Sequence, residues 1–90
     1  MYAIKSTTKF RKDLNQIKKR GYDLGILTAV IKTLAEGKIL DAKYKDHPLK
    51  GEYKDCRECH IAPDWLLIYK KNDDVLFLYL IRTGTHSDLF

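Results

Sequence analysis

Three histidines, His47, His60 and His86, are the residues of this chain best suited to moving protons near neutral pH. All lie in its second half, each beside residues fitted to a phosphate ester or a nucleobase: Asp46 precedes His47, Asp64 and Trp65 follow His60, and His86 lies between Arg82 and Phe90. A lone histidine is more often structural or simply exposed, but three beside basic and aromatic residues weigh against that reading. Cleaving RNA without a metal needs such a set. A base takes the 2′-hydroxyl proton, an acid protonates the departing 5′-oxygen, and a cation stabilises the charged phosphorane. Imidazoles fill both proton-transfer roles, an arginine grips a phosphate with two hydrogen bonds, and an aromatic ring holds a base splayed from its neighbours. Arg82, Trp65 and Phe90 are the candidates for the last two tasks, against ordinary alternatives of a salt bridge, a sheet-core indole and an apolar plug.

Other chemistries fit less well. Cys56-Arg57-Glu58-Cys59-His60 matches the C-x-x-C-H pattern of haem attachment, and a C-x-x-C pair can open a zinc or redox site. No second axial methionine is available beyond Met1, and no second ligand pair has zinc spacing. On a strand the two cysteines would point to opposite faces, so reduced thiols are expected. Asp46, Asp55, Glu58 and Asp64 are scattered among basic residues and read as solvated or paired rather than as a metal site; only Asp64, between Pro63 and Trp65, is kept as a group that orients His60 or accepts a proton. There is no glycine-rich phosphate loop and no Ser-His-Asp order. No metal or cofactor is expected.

The elements that must bring these groups together are legible in the hydrophobic pattern. Tyr2 and Ile4 alternate with polar or small neighbours as a short strand. Phe10, Leu14 and Ile17 recur at helical spacing after a Thr7 or Thr8 N-cap, and Gly21 offers a stop. After Asp23, the residues Leu24, Leu27, Val30, Ile31 and Leu34 mark a second helix ended by Gly37. Lys38 to Lys50 lacks periodicity and reads as a surface loop, with Pro48 forcing His47 out of helical geometry. Three strands follow: Tyr53 to Ile61, Trp65 to Lys71 after the Pro63-Asp64 break, and Val75 to Thr83 after the Asn72-Asp73-Asp74 turn. The apolar run Val75 to Ile81 suits a strand covered on both faces. The expectation is one α+β domain over residues 1–90: an N-terminal strand, a two-helix hairpin, then three or four mostly antiparallel strands in a curved sheet.

Ninety residues fit a single domain that buries about 60–65% of its unfolded surface. With 44% apolar and 32% charged residues the composition is that of a folded domain, and no stretch approaches the roughly 20 apolar residues of a membrane span. No secretory signal is read at the N-terminus, so a cytoplasmic location is expected. A net charge of +5, spread from Lys9 through Lys54 to Arg82 rather than held in a tail, calls for an acidic partner.

Three blocks carry a family resemblance: Tyr44-Lys45-Asp46-His47-Pro48-Leu49-Lys50-Gly51, Arg57 through Tyr69 with Cys59-His60-Ile61-Ala62-Pro63-Asp64-Trp65 at its centre, and Arg82-Thr83-Gly84-Thr85-His86-Ser87-Asp88-Leu89-Phe90. In this order, over nearly the whole chain, they resemble the YafQ-like toxins of the RelE superfamily. The resemblance implies a RelE-like fold and a ribosome-dependent endoribonuclease that cuts messenger RNA in the A site. It also implies a cognate antitoxin, a DNA-binding dimer with an acidic toxin-binding segment, and no membrane partner. By motif, His47 is a candidate base and His86 the leading acid; His60 and Asp64 belong to the active centre, Arg82 stabilises the phosphate, and Trp65 and Phe90 hold nucleotides. Lys54 and Arg57 are further cations expected to bind substrate. Ala62 stands where many relatives carry an acidic residue, which bears on histidine orientation or sequence preference. A gyrase-inhibiting relative of the ParE kind and a decayed RNA- or antitoxin-binding module are the alternatives on the same fold; the full histidine set leans against both.

Overall fold

The computed structural model describes residues 1–90. Strand β1 (Ala3–Ser6) leads into helices α1 (Thr8–Lys19) and α2 (Leu24–Ala35), followed by β2 (His47–Pro48), β3 (Arg57–Ala62), β4 (Trp65–Asn72), β5 (Phe77–Gly84) and a short helix α3 (His86–Leu89). The five strands form one sheet in the order β1-β5-β4-β3-β2, with β1 parallel to β5 and the other pairs antiparallel.

Both long helices begin where a side chain can satisfy an orphan amide. Thr7 Oγ1 accepts from the Phe10 N–H at 2.9 Å and donates to the Ile81 carbonyl at 2.7 Å, tying the start of α1 to β5. Asp23 caps α2 through the Gly25 N–H at 2.9 Å. Gly21 and Gly37, at φ +78° and +77°, carry the chain out of the helices in the left-handed conformation that glycine adopts without steric cost. The stripes read from the sequence are buried: Phe10 and Ile17 of α1 and Leu27, Val30 and Leu34 of α2 pack on one sheet face against Cys59, Leu67, Tyr69, Leu78 and Leu80. Strand alternation places Leu66 and Ile68 on the other face, where Leu89 of α3 covers them beside Leu49, Tyr53 and Ile81. Burying one such leucine contributes about 1.5–3 kcal/mol, enough to seat a four-residue helix.

The expected architecture stands, with differences at element ends. Val75 and Leu76 lie in the turn, exposed, with Leu76 at φ +53°, so the strand starts at Phe77. The segment read as a strand from Tyr53 begins at Arg57, because residues 51–53 form a 3-10 turn and Asp55 takes a left-handed φ of +71°. The region read as a loop contains a 3-10 turn at Ala42–Tyr44 and the edge strand β2. Helix α3, absent from the sequence reading, is set by a capping box: Thr85 Oγ1 accepts from the Asp88 N–H at 3.2 Å and the Asp88 carboxylate accepts from the Thr85 N–H at 2.9 Å. Gly84 permits that fold-back, since a Cβ there would lie 2.9 Å from Asp88 Oδ2.

Candidate active site

Register places the first two histidines. On β3, Glu58 and His60 are two residues apart and share a face, and His47 of β2 pairs directly opposite Glu58. The third arrives from α3, whose first residue is His86. The rings form a row, His47 to His60 at 6.2 Å between centroids and His60 to His86 at 5.9 Å.

Each end of the row is oriented through Nδ1. His47 Nδ1 lies 2.6 Å from the Lys45 carbonyl, a group that can only accept, so Nδ1 carries the proton and Nε2 faces the cluster. Lys45 holds that carbonyl in place from a left-handed conformation at φ +50°. His86 donates from Nδ1 to Asp64 Oδ1 at 2.7 Å, and its backbone N–H reaches the same oxygen at 3.1 Å. These hydrogen bonds hold the Asp64 carboxyl below its ordinary range.

Glu58 is the functional candidate that sequence reasoning missed. Counted there among scattered acids, it is only 5% exposed and sits under the histidines, with Oε1 3.5 Å from His47 Nε2 and 3.6 Å from His60 Nε2. Its i, i+2 relation to His60 was readable; its pairing with His47 across two strands was not. The ligand atoms of His47, Glu58 and His60 all lie within 4.8 Å of one another, and two imidazoles with a carboxylate can hold a zinc or copper ion. The metal-free expectation therefore meets a donor set that fits a transition ion.

Arg82 donates to Asp13 of α1 from Nε at 2.7 Å and from Nη2 at 2.9 Å, which holds its guanidinium charged and aimed. Tyr53 borders it and meets the exposed Phe90 edge-on at 5.8 Å, so Arg82 and Phe90 lie on the sheet face that bears α3. Trp65 is not a free stacking ring. It is 4% exposed, packs edge-on against Tyr22 at 5.1 Å, and its indole N–H donates to Thr83 Oγ1 at 2.9 Å. Only its margin lines a hollow with Asp64 and Ala62. Arg57 departs too: one residue from Glu58, it leaves β3 on the opposite face, where its Nε bonds Asp46 Oδ1 at 3.1 Å beside the Tyr69 hydroxyl. It is not brought to the histidines. Lys54 is exposed next to Tyr53. Cys56 and Cys59 are free thiols packed on opposite faces of the sheet, and burial pushes the Cys59 thiol up to about 12.

A basic α+β domain with a helical hairpin on one sheet face and a histidine row on the other has the architecture of the small bacterial toxins paired with antitoxins. The family model described as the bacterial toxin of type II toxin–antitoxin system, YafQ, matches residues 2–90, and the chain belongs to that family. It is 41% identical over 88 residues to the mRNA interferase toxin YafQ of Escherichia coli K12, covering 97% of this chain and 94% of the relative. A metal-bound toxin from Helicobacter pylori superposes with a TM-score of 0.94 at 49% identity over the whole of both chains. The E. coli toxin in its DinJ–YafQ complex superposes with a TM-score of 0.91 at 40% identity, covering 100% of this chain and 99% of that one.

Proposed function

We propose that this chain is an endoribonuclease that cuts messenger RNA in the ribosomal A site by metal-independent acid–base catalysis, and that a cognate antitoxin silences it. The observation that carries this reading is the histidine row, with Glu58 beneath one end and Asp64 bracing the other. The Glu58–His47 end takes the proton from the 2′-hydroxyl. The 2′-oxygen attacks phosphorus, the bond from phosphorus to the 5′-oxygen breaks, and His86, its positive charge supported by Asp64, gives that oxygen a proton. His60, at the centre of the row, and Arg82 hold the non-bridging oxygens as charge develops. The products are a 2′,3′-cyclic phosphate and a 5′-hydroxyl. Phe90 and the margin of Trp65 border the nucleotides.

Dependence on the ribosome follows from how little of the substrate so open a site can orient by itself. The net charge of +5 supports contact with ribosomal RNA in the cytoplasm, weakening as salt rises. The same charge suits an acidic antitoxin segment, and DinJ in the E. coli complex is the corresponding partner of a relative. The test is cleavage of a defined message with and without programmed ribosomes, in EDTA, with the cut sites and end groups mapped. A-site cleavage only with ribosomes is expected. Intact RNA in both arms, from folded protein, would overturn the nuclease reading.

A further inference from the structure

Beside the histidine row runs a groove of about 610 Å³ that the acid–base chemistry does not use. His60 forms one wall and the Ala42–Tyr44 turn another, with Ile26 of α2, Ala62 and Pro63 completing an apolar lining. A second hollow of about 310 Å³ shares Ile26 and Ala62 with it and extends to Asp64 and the margin of Trp65. The groove lies within the size range of small-molecule sites. Its charged groups are of one sign: Lys43 and Lys45 line it and no acid does. Lys43 Nζ stands 5.2 Å from the centroid of the Tyr44 ring, so cation and aromatic face adjoin.

An aromatic ring, an apolar floor and two ammonium groups, continuous with a phosphate-handling site, match one unpaired nucleotide: base on Tyr44 and Ile26, phosphate on the lysines. We infer that this groove is a subsite for the nucleotide on the 5′ side of the cut, and that Tyr44 and Ile26 set which base is accepted there. The polarity rests on the acid–base assignment above. Lys45 holds His47 through its carbonyl, so the groove adjoins the end of the row that deprotonates the 2′-hydroxyl, and that hydroxyl belongs to the 5′ nucleotide. The inference thus rests on the proposed nuclease reading for its direction, and on the groove itself for base binding.

Two readouts test it. On programmed ribosomes, Tyr44→Ala should lower kcat/KM about tenfold, a typical loss for one stacked base, while Tyr44→Phe stays near the unaltered chain. Ile26→Asp places a carboxylate in the groove from an exposed helix position that tolerates it, and should alter base preference at the 5′ position. Against a message abasic at that position the Tyr44→Ala defect should vanish, and against one abasic on the 3′ side it should persist. A defect that ignores the 5′ abasic site, or equal rates for Tyr44→Ala and the unaltered chain on the intact message, would overturn the subsite.

Because Tyr44 also packs against the core, the second readout needs neither that variant nor cleavage. The His86→Gln protein is titrated with a short single-stranded oligoribonucleotide and with its abasic counterpart, following the NMR signals of Ile26, Tyr44 and Ala62. Shifts with the base-containing oligonucleotide alone support the subsite even if the unaltered chain cuts nothing, a result that would overturn only the nuclease reading. Absence of shifts at these residues while other residues respond to the RNA would overturn the subsite.

Discussion

One oxygen of Asp64, Oδ1, accepts both the backbone N–H and the ring Nδ1–H of His86, at 3.1 and 2.7 Å. The pair fixes ring orientation and tautomer together, with the proton on Nδ1. His86→Gln is expected to lower turnover by about 10²- to 10⁴-fold, the usual worth of a proton-transfer group, with fold and ribosome binding intact. Asp64→Asn keeps an acceptor but removes the charge that supports the imidazolium. It should cost less than His86→Gln, because the ring keeps its orientation. Single-turnover cleavage measures both; unchanged rates in the two variants would remove His86 from the acid role.

Glu58 lies below His47 and His60 with too little exposure to serve as a surface charge. Glu58→Gln, isosteric but unable to take a proton, should slow cleavage by roughly 10²-fold. Zinc or copper ions should inhibit the unaltered chain by occupying the imidazole lone pairs, and EDTA should restore it. Calorimetric titration of zinc into Glu58→Ala should show weakened binding, and equal affinity would exclude this donor set.

The position of His86 depends on α3, and α3 on two anchors: Leu89 over Leu66 and Ile68, and the Arg20–Asp88 pair at 2.6 Å. Leu89→Ala should cost about 2 kcal/mol, at the low end for a buried leucine, and reduce activity although Leu89 touches no substrate. Chemical denaturation together with the NMR line widths of residues 85–90 would report the loosening; a full-activity variant with sharp signals would show that α3 holds itself.

Thr83 is buried, accepting from the Trp65 indole and donating to the Leu66 carbonyl at 2.7 Å. Thr83→Val removes both bonds at nearly constant volume and leaves the indole N–H without its partner. A loss of about 1–3 kcal/mol follows, readable as a lowered midpoint in urea with Trp65 fluorescence as the probe. An unchanged midpoint would mean that water replaces the hydroxyl.

Acid should loosen the C-terminal segment. The Asp88 carboxyl is held well below its ordinary range by Arg20, then by the Thr85 amide, and the Asp64 carboxyl is also lowered by His86. A carboxyl lowered in the folded state contributes stability that is present above its unfolded value, near 3.9, and lost as pH falls through the folded value. Stability should therefore decline as pH drops below about 4, and Asp88→Asn should flatten that decline. Denaturant midpoints measured from pH 6 downward would show it; parallel curves for the two proteins would assign the acid sensitivity elsewhere.

Local signals determined much of this molecule. Thr7 as a cap, Gly21 and Gly37 as stops and the apolar stripes of α1 and α2 act within a few residues of sequence, so their structural consequences were readable there. So were the three histidines and Asp64 as candidates, since side-chain chemistry is carried by residue type. What the tertiary structure decided was proximity. Glu58 joined the histidines because β2 pairs His47 against it, and Arg57 was turned away by the same alternation. Trp65 went to the core because Thr83 and Tyr22 met it there, and His86 reached Asp64 only once Leu89 found the sheet. Pairing register and packing join residues far apart in the chain, and no local pattern encodes which of them will touch.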